Sequence, residues 1–229
     1  MVFHSQNHPS VVIFGFLNEG HSSQEESKEI YDYLANDVIR KWDLGGRLVS
    51  WASSSRFHDV NWDNADFLSF NSYEGWYPTT EAVSVEALQT IPEIWDFSAA
   101  WAQDHFPGKP LICSETGAGG IFGMHGPSDG QKWTEEVQSV ILQVHTLALT
   151  KHEKIAGFSL WQWSDSLIDR NTSDGLHRPR GLNNKGVMTL HRRPKTSFFA
   201  MRTIFKNDFW GLILPESDTG KFQDLIKVA

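Results

Sequence analysis

Two glutamates stand where apolar runs end. The first closes "VVIFGFLNE", in which seven of the nine residues from Val11 to Glu19 are apolar or glycine. The second, Glu115, closes "LICSE", and each glutamate is followed within two residues by a glycine, Gly20 or Gly117. Carboxylates are rarely buried without a partner or a task. A pair of them on one rim points to glycoside hydrolysis, in which one donates a proton and the other attacks or activates water. The competing reading makes each glutamate only the first solvated residue after its strand. Other chemistry reads poorly. No His, Cys and Glu group has metal-ligand spacing, "GAGGIFG" misses the dinucleotide pattern by one residue, and neither metal nor cofactor is expected. Cys113 is the only cysteine, so no internal disulfide forms. Two residues before Glu115, it is expected on the same strand face, as a packed small residue.

These positions require elements to carry them. Apolar runs predict strands over Val11–Leu17, Arg47–Ala52, Phe67–Tyr73, Leu111–Ser114 and Ile155–Trp163, the first fully buried. Helical spacing predicts a helix over Glu25–Trp42 that buries Ile30, Tyr33, Leu34 and Val38. Another falls within Val85–His105, irregular near Pro92. A third, Glu135–Leu149, places Val137, Val140, Ile141, Val144, Leu147 and Ala148 on one face, and a closing helix covers Lys195–Phe205. Strands alternating with helices imply an α/β fold with a parallel sheet. In such folds catalytic groups gather at the C-terminal strand ends, which here read Asn18-Glu19, Asn71-Ser72-Tyr73, Ser114-Glu115 and Gln162-Trp163-Ser164-Asp165.

Composition narrows the classes. The chain of 229 residues has a net charge of −8 and no basic run, which argues against nucleic acid as a partner. No apolar stretch approaches the ~20 residues of a membrane span. Met1 leads into a polar segment with no charged-then-apolar leader, so a cytoplasmic location is expected. Ten tryptophans are many for this length; aromatic faces line sugar sites, though most fill cores.

Five blocks, in order over roughly residues 7 to 205, resemble glycoside hydrolase family 2. "NHPSVVIFGFLNEG" is similar to its acid/base segment and "KPLICSETGAGG" to its nucleophile strand. "NSYEGWY" resembles a stretch of the β-glucuronidase branch, "LWQWSD" the Trp-rich eighth strand, and "RPRGLNNKGVMTLHRRPK" the closing segment. The resemblance implies a partial (β/α)8 TIM barrel, strands four to eight with their helices. Residues 1–210 would form the C-terminal portion of a catalytic domain and 211–229 an irregular tail. It implies a retaining exo-β-glycosidase acting on a β-glycoside, β-glucuronidase ahead of β-galactosidase, with homo-oligomerisation open for the full-length protein. Glu19 would be the acid/base, with Asn18 on the sugar 2-hydroxyl. Glu115 would be the nucleophile, held by Tyr73, with Tyr77 nearby. Trp161 would wall the sugar ring. Asn183 and Lys185 would contact a sugar carboxylate, with Arg178 or Arg180 as a second cation.

Departures from the family pattern are as informative. Glu74 replaces a tyrosine and adds negative charge, and Phe14 replaces a tryptophan. Lys185 also reads as a structural lysine paired with a local carboxylate. Three strands of the family's barrel have no counterpart before Glu19, so an incomplete chain is expected, one that aggregates through its strand edges when alone. A non-catalytic carbohydrate-binding remnant and an inert fragment are the other readings.

Overall fold

In the computed structural model, which describes residues 1–77, 82–128, 130–169, 171–172 and 178–206, the apolar runs become strands. The expected tail, 211–229, lies outside the described residues. Two compact units emerge. One contains Met1–Ser72, Phe97–Glu115 and Glu153–Phe158; the other contains Tyr73–Asp96, Thr116–His152 and the described residues from Ser159 onward.

In the first unit, β1 (Ile13–Asn18) runs parallel to β2 (Leu48–Ala52), with Phe14 opposite Val49. A bridge between Ser53 and Phe70 joins the end of β2 to β3 (Leu68–Asn71). β3 is parallel to β4 (Leu111–Thr116), and β5 (Ile155–Leu160) follows β4 in the sheet. The branched and aromatic residues of these runs favour this pleated, half-covered surface. β1 is not buried throughout: Phe14 is enclosed, but Ile13 and the preceding Val12 are exposed. From the strand, Phe14 joins the buried cluster of Val2, Ala35, Ile39 and Val49, and the partly buried Phe16 packs against it.

The segment expected as one helix over Glu25–Trp42 is a 3₁₀ turn (Glu25–Ser27), then α2 (Lys28–Asp32), then a π-helical stretch (Tyr33–Arg40). A four-residue helix, α1 (Val2–Ser5), precedes them. The buried stripe is Tyr31, Ala35 and Ile39, while Ile30 and Tyr33 are exposed. Tyr31 selects this face by packing edge-on against Trp51, with ring centroids 4.9 Å apart.

α3 (Val85–His105) continues through Pro92 as one helix. In the second unit, α4 (Glu135–Lys151) is capped by Thr134, whose hydroxyl accepts from Val137 N at 3.2 Å. The apolar pattern predicts one buried face; instead every residue from Val137 to Leu149 is buried. The apolar side packs on α5 (Thr196–Phe205), where Leu142 and Leu147 meet Ala200, Met201 and Ile204. Most of the polar side finds partners, Gln143 Oε1 being the exception. Trp95 Nε1 donates to His145 Nδ1 at 3.0 Å, and His145 Nε2 lies 3.0 Å from Glu74 O. A short antiparallel pair, β6 (Ser166–Leu167) and β7 (Leu182–Asn183), completes the described strands.

Candidate active site

The first unit holds both candidate carboxylates, and each stands at a register irregularity. Between Gly15–Ser50 and Asn18–Ala52, β1 advances three residues while β2 advances two. Between Phe70–Cys113 and Asn71–Glu115, β4 advances two while β3 advances one. An extra residue of this kind bends a strand and re-aims the side chains that follow. It also separates Cys113 from Glu115, which the two-residue spacing places on one face: Cys113 is fully buried and Glu115 is partly exposed. Burial pushes the Cys113 thiol far up, and the Glu115 charge adds to the effect.

Glu19 itself is exposed. Its N–H donates to Ala52 O at 2.8 Å, keeping the chain on β2. Its backbone then turns left-handed, with φ 51°, a conformation costing a non-glycine residue on the order of 1–3 kcal/mol. The next residue must be small, since a Cβ on Gly20 would meet the Tyr31 hydroxyl at 2.5 Å.

Asn71, a residue the sequence placed at a strand end without a role, organises this group. Its Nδ2 donates to Glu19 Oε1 at 2.9 Å and to Asn18 Oδ1 at 3.2 Å. Its Oδ1 accepts from Ser114 Oγ at 2.6 Å, and its backbone stands opposite Glu115. Asn71 is buried, and both amide hydrogens and the carbonyl oxygen are engaged. The following residue, Ser72, donates its N–H to Glu115 O at 2.9 Å, and its hydroxyl accepts from Arg56 Nη1 at 2.9 Å. Asn71 was visible in "NSYEGWY", but its partners lie on strands far away in sequence.

The second unit holds the other expected residues. Lys185 is only 3% exposed, and its Nζ donates to the Tyr77 hydroxyl at 2.8 Å. The ammonium lies 4.9 Å from the Tyr77 ring centre and 5.1 Å from that of Tyr73. The local partner is thus a phenol, and no carboxylate among the described residues pairs with Lys185. Burial holds the lysine below its ordinary range. Burial raises the Tyr77 phenol, but the Lys185 hydrogen bond and charge, together with the Arg178 charge and Trp76, bring the phenol below its ordinary range. Of the two candidate arginines, Arg178 is the one whose charge is felt by both groups.

Asn183 is committed locally, its Oδ1 accepting from Lys185 N at 3.2 Å. Trp161 is partly open to solvent, and its backbone N–H donates to Thr116 O at 2.7 Å. The segment carrying Lys185 is fixed from behind by residues without a prior role. Gln138 Nε2 donates to Gly186 O at 3.0 Å. Lys195 Nζ donates to Asp165 Oδ1 at 2.7 Å, Gly120 O at 2.6 Å and Asn184 O at 3.1 Å. Asp165 Oδ1 also accepts from Gly186 N at 3.0 Å. Among the described residues, no three His, Cys, Asp or Glu side chains converge as metal ligands would.

Comparison with known proteins gives a consistent result. The family model described as glycosyl hydrolases family 2, TIM barrel domain, matches residues 1–208. A β-glucuronidase of Sus scrofa is 28% identical over 204 residues, 88% of this chain and 29% of its own length. One of Paenibacillus borealis is 28% identical over 205 residues, 89% of this chain and 32% of its own length. Among solved structures, a β-galacturonidase from Eisenbergiella tayi bound to galacturonate superimposes with a TM-score of 0.79 and 30% identity, over 90% of this chain and 35% of its own. An uncultured Clostridium sp. β-glucuronidase gives 0.75 and 29%, over 89% and 33%. The chain therefore spans about a third of the length of these relatives.

Proposed function

The chain belongs to glycosyl hydrolase family 2 and has a TIM-barrel-like α/β fold, and from this premise we propose that it carries the catalytic pair of a retaining β-glycosidase acting on β-glucuronides. The strands β1 to β5 would correspond to strands four to eight of the barrel. Glu115 attacks the anomeric carbon as the bond to the leaving oxygen breaks, and Glu19 gives that oxygen its proton. In the second step Glu19 takes a proton from water, the water attacks the same carbon, and Glu115 is released. Asn18 serves the sugar 2-hydroxyl, while Tyr73, Tyr77 and Trp161 keep the substrate-facing roles that the resemblance implies. Asn183 and Lys185 receive a sugar carboxylate.

The observation that carries this reading is Asn71, which grips Glu19 through its side chain while its backbone stands opposite Glu115. One residue spanning both glutamates favours the roughly 5–5.5 Å carboxyl separation of retaining enzymes over the wider inverting geometry. The buried Lys185 without a carboxylate partner supports a uronide over the neutral sugar of the β-galactosidase alternative. Assay of the purified chain with chromogenic β-glucuronide, β-galacturonide and β-galactoside tests the reading. Turnover that is greatest on a uronide and lost in Glu115→Gln supports it. Glu19→Gln should lose far more activity on a poor leaving group than on an activated one, because only the former needs the proton. No turnover with intact sugar binding would favour the carbohydrate-binding alternative.

A further inference from the structure

Lys132 belongs to no block of the sequence that resembles the family, yet its ammonium sits in the same aromatic group as Lys185. Its Nζ lies 4.2 Å from the centre of the Trp76 ring, 5.5 Å from Tyr77 and 5.8 Å from Trp133. Lys185 faces two of those rings, at 4.9 Å for Tyr77 and 6.0 Å for Trp76. Among the described residues no carboxylate pairs with either ammonium. The Arg178 charge is felt by both lysines, and each is held below its ordinary range by burial first. Cations gathered on the same rings without a carboxylate repel one another. Ring faces offset part of that cost, and an arriving anion would offset the rest.

We propose that Lys132 is a specificity-determining residue that joins Lys185 in receiving the carboxylate of a uronic acid. Two ammonium groups match the two oxygens of a carboxylate, and the tyrosine and tryptophan faces suit the apolar side of a sugar ring. The proposal rests on the glycosidase reading for its substrate, and direct binding separates the two. Titrate the full chain calorimetrically with D-glucuronate and with D-glucose, as wild type, Lys132→Met and Lys132→Arg. The wild type should prefer D-glucuronate. Lys132→Met should lose about tenfold of that preference, the scale of one charge-assisted contact, and Lys132→Arg should retain most of it. Equal preference in wild type and Lys132→Met, or no binding of D-glucuronate by the wild type, would overturn the role of Lys132. If the preference shifts as expected but no glycoside is hydrolysed, the anion site stands and the glycosidase reading fails.

Discussion

The side-chain amide of Asn71 donates to Glu19 Oε1 at 2.9 Å, and this is the one hydrogen bond of the Glu19 carboxylate among the described residues. Removing it frees the carboxylate to rotate while leaving the residue itself in place. Asn71→Ala is expected to lower kcat on a β-glucuronide about ten- to a hundredfold, the rate equivalent of the roughly 1.5–3 kcal/mol in a hydrogen bond to a charged group. KM should move little. Steady-state kinetics decides the matter, and an unchanged kcat would show that Asn71 only packs.

His145 makes stability depend on pH. Its Nδ1 accepts from Trp95, so Nε2 carries the hydrogen that reaches Glu74 O. Burial pushes its pKa down to about 4 from an ordinary 6.5. The folded ring therefore resists protonation that the unfolded ring accepts. The stabilisation is present above about 6.5 and is lost as pH falls toward 4, by about 3 kcal/mol in all. Urea unfolding at pH 7 and pH 4.5 should show a loss in the wild type that is smaller in His145→Gln. Equal losses would contradict the assignment.

The Lys195–Asp165 pair is fully enclosed, with side chains 0% and 4% exposed. Lys195→Met leaves the Asp165 carboxylate without its counterion and the Gly120 carbonyl without a side-chain donor, whereas the Asn184 carbonyl keeps the Gly120 N–H. A cost of about 3–5 kcal/mol is expected, as for other broken buried pairs. Urea denaturation measures it, and a loss below about 1 kcal/mol would mean that water replaces the lysine.

Gly117 has no room for a side chain. A Cβ there would stand 2.1 Å from the Trp161 carbonyl oxygen, a backbone atom that cannot swing aside. Gly117→Ala is expected to destabilise by about 1–3 kcal/mol or more and to disturb Trp161. Gly157→Ala, where an added Cβ meets nothing within 4 Å, is the control. Melting curves of both variants suffice, and equal Tm values would refute the clash.

The strands and the two glutamates were legible because apolar runs end abruptly on carboxylates, a purely local signal. Their irregular register was not, since Gly15–Asn18 and Cys113–Glu115 look like ordinary alternation until the neighbouring strand is laid beside them. The organising role of Asn71 is hidden in the sequence for the same reason: its partners, Asn18, Glu19 and Ser114, arrive from two other strands. The buried stripe of Tyr31, Ala35 and Ile39 lies one residue off the apolar spacing of Ile30, Leu34 and Val38, because Trp51, distant in sequence, meets Tyr31. The full enclosure of α4 was hidden because Gln138, Ser139, Gln143 and His145 look solvent-facing by type. Partners make the burial of Gln138, Ser139 and His145 tolerable, while Gln143 Oε1 is buried without one.

The lone thiol of Cys113 also supplies a clock for motion at the nucleophile strand. Folded, the sulfur has no solvent exposure and is held in its unreactive protonated form. A disulfide reagent can therefore capture it only when β4 opens. With a single cysteine in the chain, the labelling rate reports the opening of that strand alone, two residues from Glu115. Excess reagent reads the opening rate, and dilute reagent reads the opening equilibrium. A sugar that binds at Glu115 would slow the clock by holding β4 shut, so occupancy there becomes measurable without any turnover.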